Sequence, residues 1–221
     1  MLIGFISDIH ANFEALSSMK DDLSKADLVV CLGDLVGYYC QVNEVIDYIR
    51  SINCICVLGN HDHFLLEGYH PDALPAVKFG IDYARTVITS DNHEWLSKLP
   101  LVWGGFIGGR SLLISHGSPW RPLDDYLYQD KPALNSLDTF QYDLIAFGQT
   151  HRSLLRFDRR PYLLNPGSVG QSRDIKAKAC AVFLDTETLN FTKIERSYNV
   201  EHVLDMAVEN GAQEWILKHL R

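Results

Sequence analysis

The chain has 221 residues, 47% of them hydrophobic and 22% charged, an ordinary composition for a globular protein. Its formal net charge of −8 excludes an extended nucleic-acid surface, which needs a basic stripe. A small anionic substrate remains compatible, because bound dications make a site locally positive. No apolar run reaches the ~18 residues of a membrane-crossing helix. The apolar start has no basic leader and no small-residue cleavage site, so a cytoplasmic protein is expected.

Leu2 to Ile6 are almost wholly apolar and read as a strand buried on both faces. The strand ends at Ser7, and Asp8 and His10 follow, a carboxylate and an imidazole that can reach one divalent cation together. Ala11 to Leu23 reads as a helix, with Phe13, Leu16, Met19 and Leu23 at spacings of three and four. Asn12 stands at its start. There it either helps the helix N-terminus hold a phosphate or is a plain turn residue. Leu28 to Leu32 is a second apolar run and meets Gly33-Asp34, and Gly37-Tyr38-Tyr39 is a loop. A helix from about Val42 to Ile52 carries Val45, Ile46 and Ile49 on one face. Cys54 to Leu58 then meets Gly59-Asn60-His61-Asp62.

Residues 63 to 75, with two prolines, read as a loop with a short helical turn. Helices are expected over Ala76 to Ile88 and Asn92 to Leu99, the second ended by Pro100. Gly108-Gly109 splits a strand hairpin whose second arm, Ser111 to Ile114, meets Ser115-His116-Gly117. After an excursion over 117 to 142, Leu144 to Phe147 meets Gly148-Gln149-Thr150-His151. Strands at about 152 to 157 and 162 to 164 follow, then Asn165-Pro166-Gly167-Ser168, a closing hairpin at 179 to 184 and 189 to 194, and a helical tail over 201 to 221 interrupted at Asn210-Gly211. Five buried strands thus each deliver Asp, Asn or His at their carboxyl ends, the edge at which open α/β sheets bind ligands. The two excursions, 63 to 99 and 117 to 142, are expected to cap that edge. The whole chain, 1 to 221, is expected to be one domain. The five cysteines fit no zinc or redox spacing and read as buried free thiols.

Taken together, D-x-H at 8, G-D at 34, G-N-H-D at 59, H-G at 116 and G-x-T-H at 148 resemble the calcineurin-like metallophosphoesterase superfamily. GDLVGYYCQVNEVID, SHGSP and NPGSVGQSRD resemble its small bacterial and archaeal phosphodiesterase branch. The resemblance implies a four-layer αββα sandwich: two mixed sheets flanked by helices. It implies two divalent metal ions, Mn foremost, with Fe, Zn or Ni also suited to a mixed O/N ligand set. Asp8, His10 and His151 would hold the first, Asn60 and His116 the second, with Asp34 bridging. His61 would protonate the leaving oxygen, with Asp62 holding its ring. Arg173, after the NPGS block, either contacts the phosphate or is a surface arginine. The family reads Gly-His-x-His where this chain has Gly148-Gln149-Thr150-His151. Gln149 would therefore replace a second-site histidine and leave that site weaker. The implied activity is hydrolysis of small phosphodiesters or nucleotide-type phosphates by a hydroxide activated between two metals. The competing expectation, from Gln149 alone, is a regulatory or interaction module that keeps the fold and one metal. His63, His70, His93, His202 and His219 match no block and read as structural or exposed. Oligomeric state is left open.

Overall fold

In the computed structural model, which describes residues 1–213, the elements run in chain order β1 (Leu2–Ile6), α1 (Phe13–Ser17), α2 (Lys20–Leu23), β2 (Leu28–Cys31), α3 (Val42–Ser51), β3 (Cys54–Cys56), α4 (Asn60–Glu67), α5 (Pro75–Val87) and α6 (Ser90–Ser97). Then come β4 (Val102–Ile107), β5 (Arg110–Ser115), α7 (Pro132–Ser136), β6 (Leu144–Ala146), β7 (Ser153–Arg156), β8 (Tyr162–Pro166), β9 (Lys178–Asp185), β10 (Phe191–Ser197) and α8 (Val200–Glu209). The strands form two five-stranded sheets, ordered β10-β9-β1-β2-β3 and β4-β5-β6-β8-β7. Within them β1, β2 and β3 run parallel, as do β5, β6 and β8. The remaining strands pair antiparallel, so both sheets are mixed.

Side chains of a strand alternate between faces, and that alternation builds the layers. Ile3, Phe5, Leu28 and Val30 of the first sheet meet Leu112, Ile114, Leu144 and Ala146 of the second in one apolar cluster between the sheets. The intervening residues face outward. Val29 and Cys31 join the helices in one cluster, and Leu113 and Ile145 join Leu134 and Leu137 in another. The layers are therefore helix, sheet, sheet, helix. Each fully buried aliphatic side chain in them contributes about 1.5–3 kcal/mol.

Two elements depart from the pattern read in the sequence. The helix over 11 to 23 is two short ones, broken where the Ser18 hydroxyl donates to the Ala15 carbonyl at 2.7 Å, a side-chain bond that competes with the helix ladder. Asn60 to Glu67 is a helix that begins before, and runs into, the segment expected as a loop with a short helical turn; the Asp62 carboxylate satisfies its N-terminus by accepting from Gly59 N at 3.0 Å. Residues 63 to 99, expected as part of a cap, form the end of α4 with α5 and α6. They pack in the outer helical layer, where Val77, Ile81, Ala84 and Leu96 are buried and Asn92 donates to Asn43 and Asp47 of α3. The interruption expected at Asn210-Gly211 is present: α8 ends at Glu209 and is capped by Asn210, with Gly211 in the left-handed region at φ 96°. The rest of the expected tail, residues 214 to 221 with His219, lies outside the described residues. No helix among the described residues is long and apolar enough to cross a membrane, and the five cysteines are free.

Candidate metal centre

The loops that leave the parallel strands are tied to one another by backbone. Ile9 N and His10 N donate to Asp34 O at 2.8 and 2.9 Å, and Ala11 N donates to Leu35 O at 2.7 Å. Such tight turns force Asp8, His10, Asp34, Gln149 and His151 to φ values of 54 to 66°. This left-handed region disfavours L residues, and backbone strain of this kind is held in place by its surroundings and gathers at functional sites. Glycine is required at 59: a Cβ there would stand 2.1 Å from Asp34 Oδ1. At Gly148 a Cβ would stand 2.0 Å from Ser7 Oγ.

Three histidines share one arrangement. His10 Nδ1 lies 3.2 Å from Val36 O, His116 Nδ1 2.7 Å from Leu32 O, and His151 Nδ1 2.8 Å from Gln171 O. A carbonyl only accepts, so each Nδ1 carries the proton and donates it, and each Nε2 is presented inward. Metal-ligating histidines are held in this way. The Nε2 atoms converge on two buried carboxylates. Asp8 Oδ1 is 3.4 Å from His151 Nε2 and 3.9 Å from those of His10 and His116. Asp34 Oδ2 is 3.3 Å from His116 Nε2 and 3.7 Å from His10 Nε2. Asn60 Oδ1 is 3.0 Å from His116 Nε2. Asp8-His10-His151 and Asp8-Asp34-His116 each bring ligand atoms within 4.8 Å of one another.

These atoms fit divalent cations better than they fit each other. The Nε2 atoms of His10 and His151 face one another at 3.1 Å although both rings already donate through Nδ1, so two lone pairs meet. Asp8 Oδ1 is buried with no hydrogen-bond partner, a costly state for a carboxylate oxygen. A cation among these groups removes both penalties, and the mixed N/O set suits Mn, Fe, Zn or Ni.

The electrostatics agree. Burial pushes the Asp8 carboxyl up to about 7, and Asp34 adds to the rise. Burial also acts to raise Asp34, but the charges of His116, His61 and His10 outweigh it and hold its carboxyl below the usual range. Burial lowers His10 well below the ordinary histidine value, and burial with the Arg173 guanidinium brings His151 down to about 3. Both rings are therefore neutral, the form in which imidazole binds metal. His116 is the exception: burial acts to lower it, but Asp34, by charge and hydrogen bond, raises it to about 10.

The predicted site residues divide into those brought together and those that are not. Asp8, His10, Asp34, Asn60, His116 and His151 converge, and all six are buried. Gln149 joins them. Its Nε2 donates to Leu123 O at 3.0 Å, and its Oε1 is buried without a partner. The His61 ring lies 4.6 Å from that of His10, and its Nδ1 is buried without a partner. Asp62 does not hold that ring. Its Oδ1 accepts from Leu35 N and Val36 N at 2.9 and 3.1 Å and its Oδ2 from Gly59 N, because at the third position of α4 it points back along the helix. His61 is instead packed between Tyr38 and Phe64, at 4.7 and 5.8 Å. Asn12 is not a phosphate ligand either. It is fully buried, its Oδ1 accepts from Ala15 N at 3.0 Å, and its Nδ2 donates to Gly170 O at 2.9 Å. Arg173 is exposed, its backbone N donates to His151 O at 3.0 Å, and its guanidinium acts on His151 and His61. Tyr38, whose Gly37-Tyr38-Tyr39 segment reads only as a loop in the sequence, also stands at the centre, 4.6 Å from the His10 ring; its place after Gly37 beside the Gly-Asp block was the available signal.

Two mixed sheets whose facing strand ends gather a buried carboxylate and imidazole cluster define an α/β protein with a candidate metal-binding centre. The profile of the calcineurin-like phosphoesterase superfamily domain matches residues 1–189, and the chain belongs to that superfamily. It is 32% identical over 241 residues to an uncharacterised protein of Methanocaldococcus jannaschii, covering 99% of this chain and 97% of that one. It is similar in structure to a metallophosphoesterase from Sphaerobacter thermophilus, with a TM-score of 0.85, 27% identity and coverage of 100% and 98% of the two chains. A hypothetical protein from Pyrococcus horikoshii shares the fold with a TM-score of 0.86 at 21% identity, over 99% of this chain and 97% of that one.

Proposed function

We propose that the chain is a metal-dependent phosphoesterase that hydrolyses small phosphodiesters or nucleotide-type phosphates. The observation that carries this reading is the set of three histidines, each fixed through Nδ1 by a backbone carbonyl and converging through Nε2 on Asp8 and Asp34. Asp8, His10 and His151 hold one ion. Asp34, Asn60 and His116 would hold the other, with Gln149 as a weaker contributor, and Asp34 would serve both. Bound divalent ions supply Lewis acids for phosphoryl oxygens and lower the pKa of water. Arg173 draws the anionic ester toward the centre. His61, whose ring no metal in this scheme uses, donates a proton to the leaving oxygen. A module that only binds partners has no use for such a group, which is why the enzymatic reading is preferred to the interaction module.

Hydrolysis of bis(p-nitrophenyl) phosphate tests the reading. Chelator-stripped protein is expected to be inactive, to gain turnover when Mn is added, and to stay inactive as Asp34→Asn with the same Mn. Turnover that survives chelation, or its absence with Mn, Fe, Zn and Ni alike, contradicts it.

A further inference from the structure

Three side chains outside the ligand set stand around the centre, each anchored to a ligand-bearing loop. The Tyr38 ring lies 4.6 Å from that of His10, edge to face. Its backbone is backed by α5, where a Cβ at Gly80 would stand 2.1 Å from Tyr38 N. Arg173 is joined through its backbone N to His151 O. Tyr126 follows Asp125, whose carbonyl lies 2.7 Å from where a Cβ of Gly117 would be. It also lies three residues beyond Leu123, the acceptor for Gln149. Asp34, Asp8 and Arg173 act on the hydroxyls of both tyrosines, so all three groups stand near the same two carboxylates.

The chemistry around the centre is specific. The Arg173 guanidinium and the Tyr38 and Tyr126 hydroxyls make no hydrogen bond or ion pair among the described residues. They are donors at the edge of a centre built from acceptors, the complement of a phosphoryl group's outer oxygens. Tyr126 is 46% exposed and lies nearly parallel to Tyr128, 12° between planes with centroids 6.2 Å apart. A polar, solvent-facing ring braced by a second ring is a stacking platform.

We propose that Tyr38 and Arg173 hold the outer phosphoryl oxygens and that Tyr126, braced by Tyr128, stacks on an aromatic ring carried by the ester, either a nucleobase or an aryl group. This rests on the phosphoesterase reading and narrows it: the substrate class is phosphate esters of aromatic or nucleoside alcohols, not of simple aliphatic ones. Tyr126 then sets specificity, and Arg173 binds phosphate whatever the ester.

Binding of two phosphonates, whose C–P bond this hydrolysis does not cleave, separates the subsite from turnover. Phenylphosphonate carries a ring and ethylphosphonate does not. Calorimetric titration of the Mn-loaded protein is expected to show phenylphosphonate binding about fivefold tighter or more, the low end of one stacking contact. Tyr126→Ala should bring phenylphosphonate down to the affinity of ethylphosphonate, Tyr126→Phe should keep the preference, and Arg173→Ala should weaken both by the same factor. Equal affinities in the wild type, equal weakening of both by Tyr126→Ala, or no binding of either overturns the proposal. Repeating the titration with adenosine 5′-phosphonate assigns the ring: tighter binding than phenylphosphonate favours a nucleobase, and weaker binding an aryl group. A ring preference without ester turnover supports the subsite and defeats the phosphoesterase reading. Turnover without a ring preference does the reverse.

Discussion

At the scale of single residues, His61 and Gln149 separate catalysis from metal binding. His61 Nδ1 is buried without a partner and abuts Gly37, where a Cβ would come within 2.2 Å of it. One ring nitrogen of His61 stands within 4.8 Å of ligand atoms of His10 and Asp34. His61→Ala should therefore lower turnover by about 10²–10⁴-fold, the usual cost of a lost general acid, while metal content by emission spectroscopy stays the same. The loss should shrink for p-nitrophenolate, a leaving group that needs little protonation. Equal losses for good and poor leaving groups give His61 another role. Gln149 offers Oε1, a neutral oxygen, where an imidazole would favour Zn, Ni or Fe; its Nε2 is held by Leu123 O. Gln149→His should lower the Mn concentration for half-maximal activity. Superimposed metal titrations of wild type and variant would instead mean that Gln149 binds only water or phosphate.

At the scale of elements, the part of the site legible in the sequence was the part that local pattern fixes. Apolar runs ending at Asp8, Asp34, Asn60, His116 and Gln149 marked both the strands and the edge where they deliver their polar residues. What was not legible depended on partners distant in sequence. Asp62 looks like a companion to its neighbour His61, but its carboxylate is committed 26 and 27 residues away, to Val36 N and Leu35 N. Asn12 looks free at a helix start but is bonded to Gly170, 158 residues away. Helix α4 reads from the sequence as no more than a short helical turn because Asn60, His61, Asp62 and His63 break the apolar period that announces a helix. The Asp62 assignment is testable. Asp62→Ala leaves three buried N–H groups without their acceptor, and at about 1–3 kcal/mol for an unsatisfied group, part of it recovered by relaxation, chemical denaturation should show a loss of about 2–5 kcal/mol. Metal affinity should fall with it, since Val36 O holds the His10 ring. A variant of unchanged stability with reduced turnover would restore Asp62 to a role at His61.

At the scale of the whole molecule, two sheets pack face to face so that ligands arrive from the strand ends of both: β1, β2 and β3 supply Asp8, His10, Asp34 and Asn60, while β5 and β6 supply His116, Gln149 and His151. Cation binding should therefore tie the sheets together and raise the melting temperature. The pH dependence has a definite sign. Asp8 titrates at about 7 and His116 at about 10, so near pH 6 a cation must displace both protons and near pH 8 chiefly one. Moreover, a raised carboxyl contributes stability that is complete below its unfolded value and is lost as pH rises through 7; a bound cation restores it. The Mn-induced rise in melting temperature should be larger at about pH 8 than at about pH 6, and an equal or smaller rise contradicts these values. The most direct test of the central claim is an anomalous difference map at the manganese edge, from crystals of wild type and Asp34→Asn grown with Mn. The account predicts a strong peak among Asp8, His10 and His151, a weaker one among Asp34, Asn60 and His116, and the loss of both in the variant. No peak within this cluster, or peaks that persist without the Asp34 carboxylate, would contradict it.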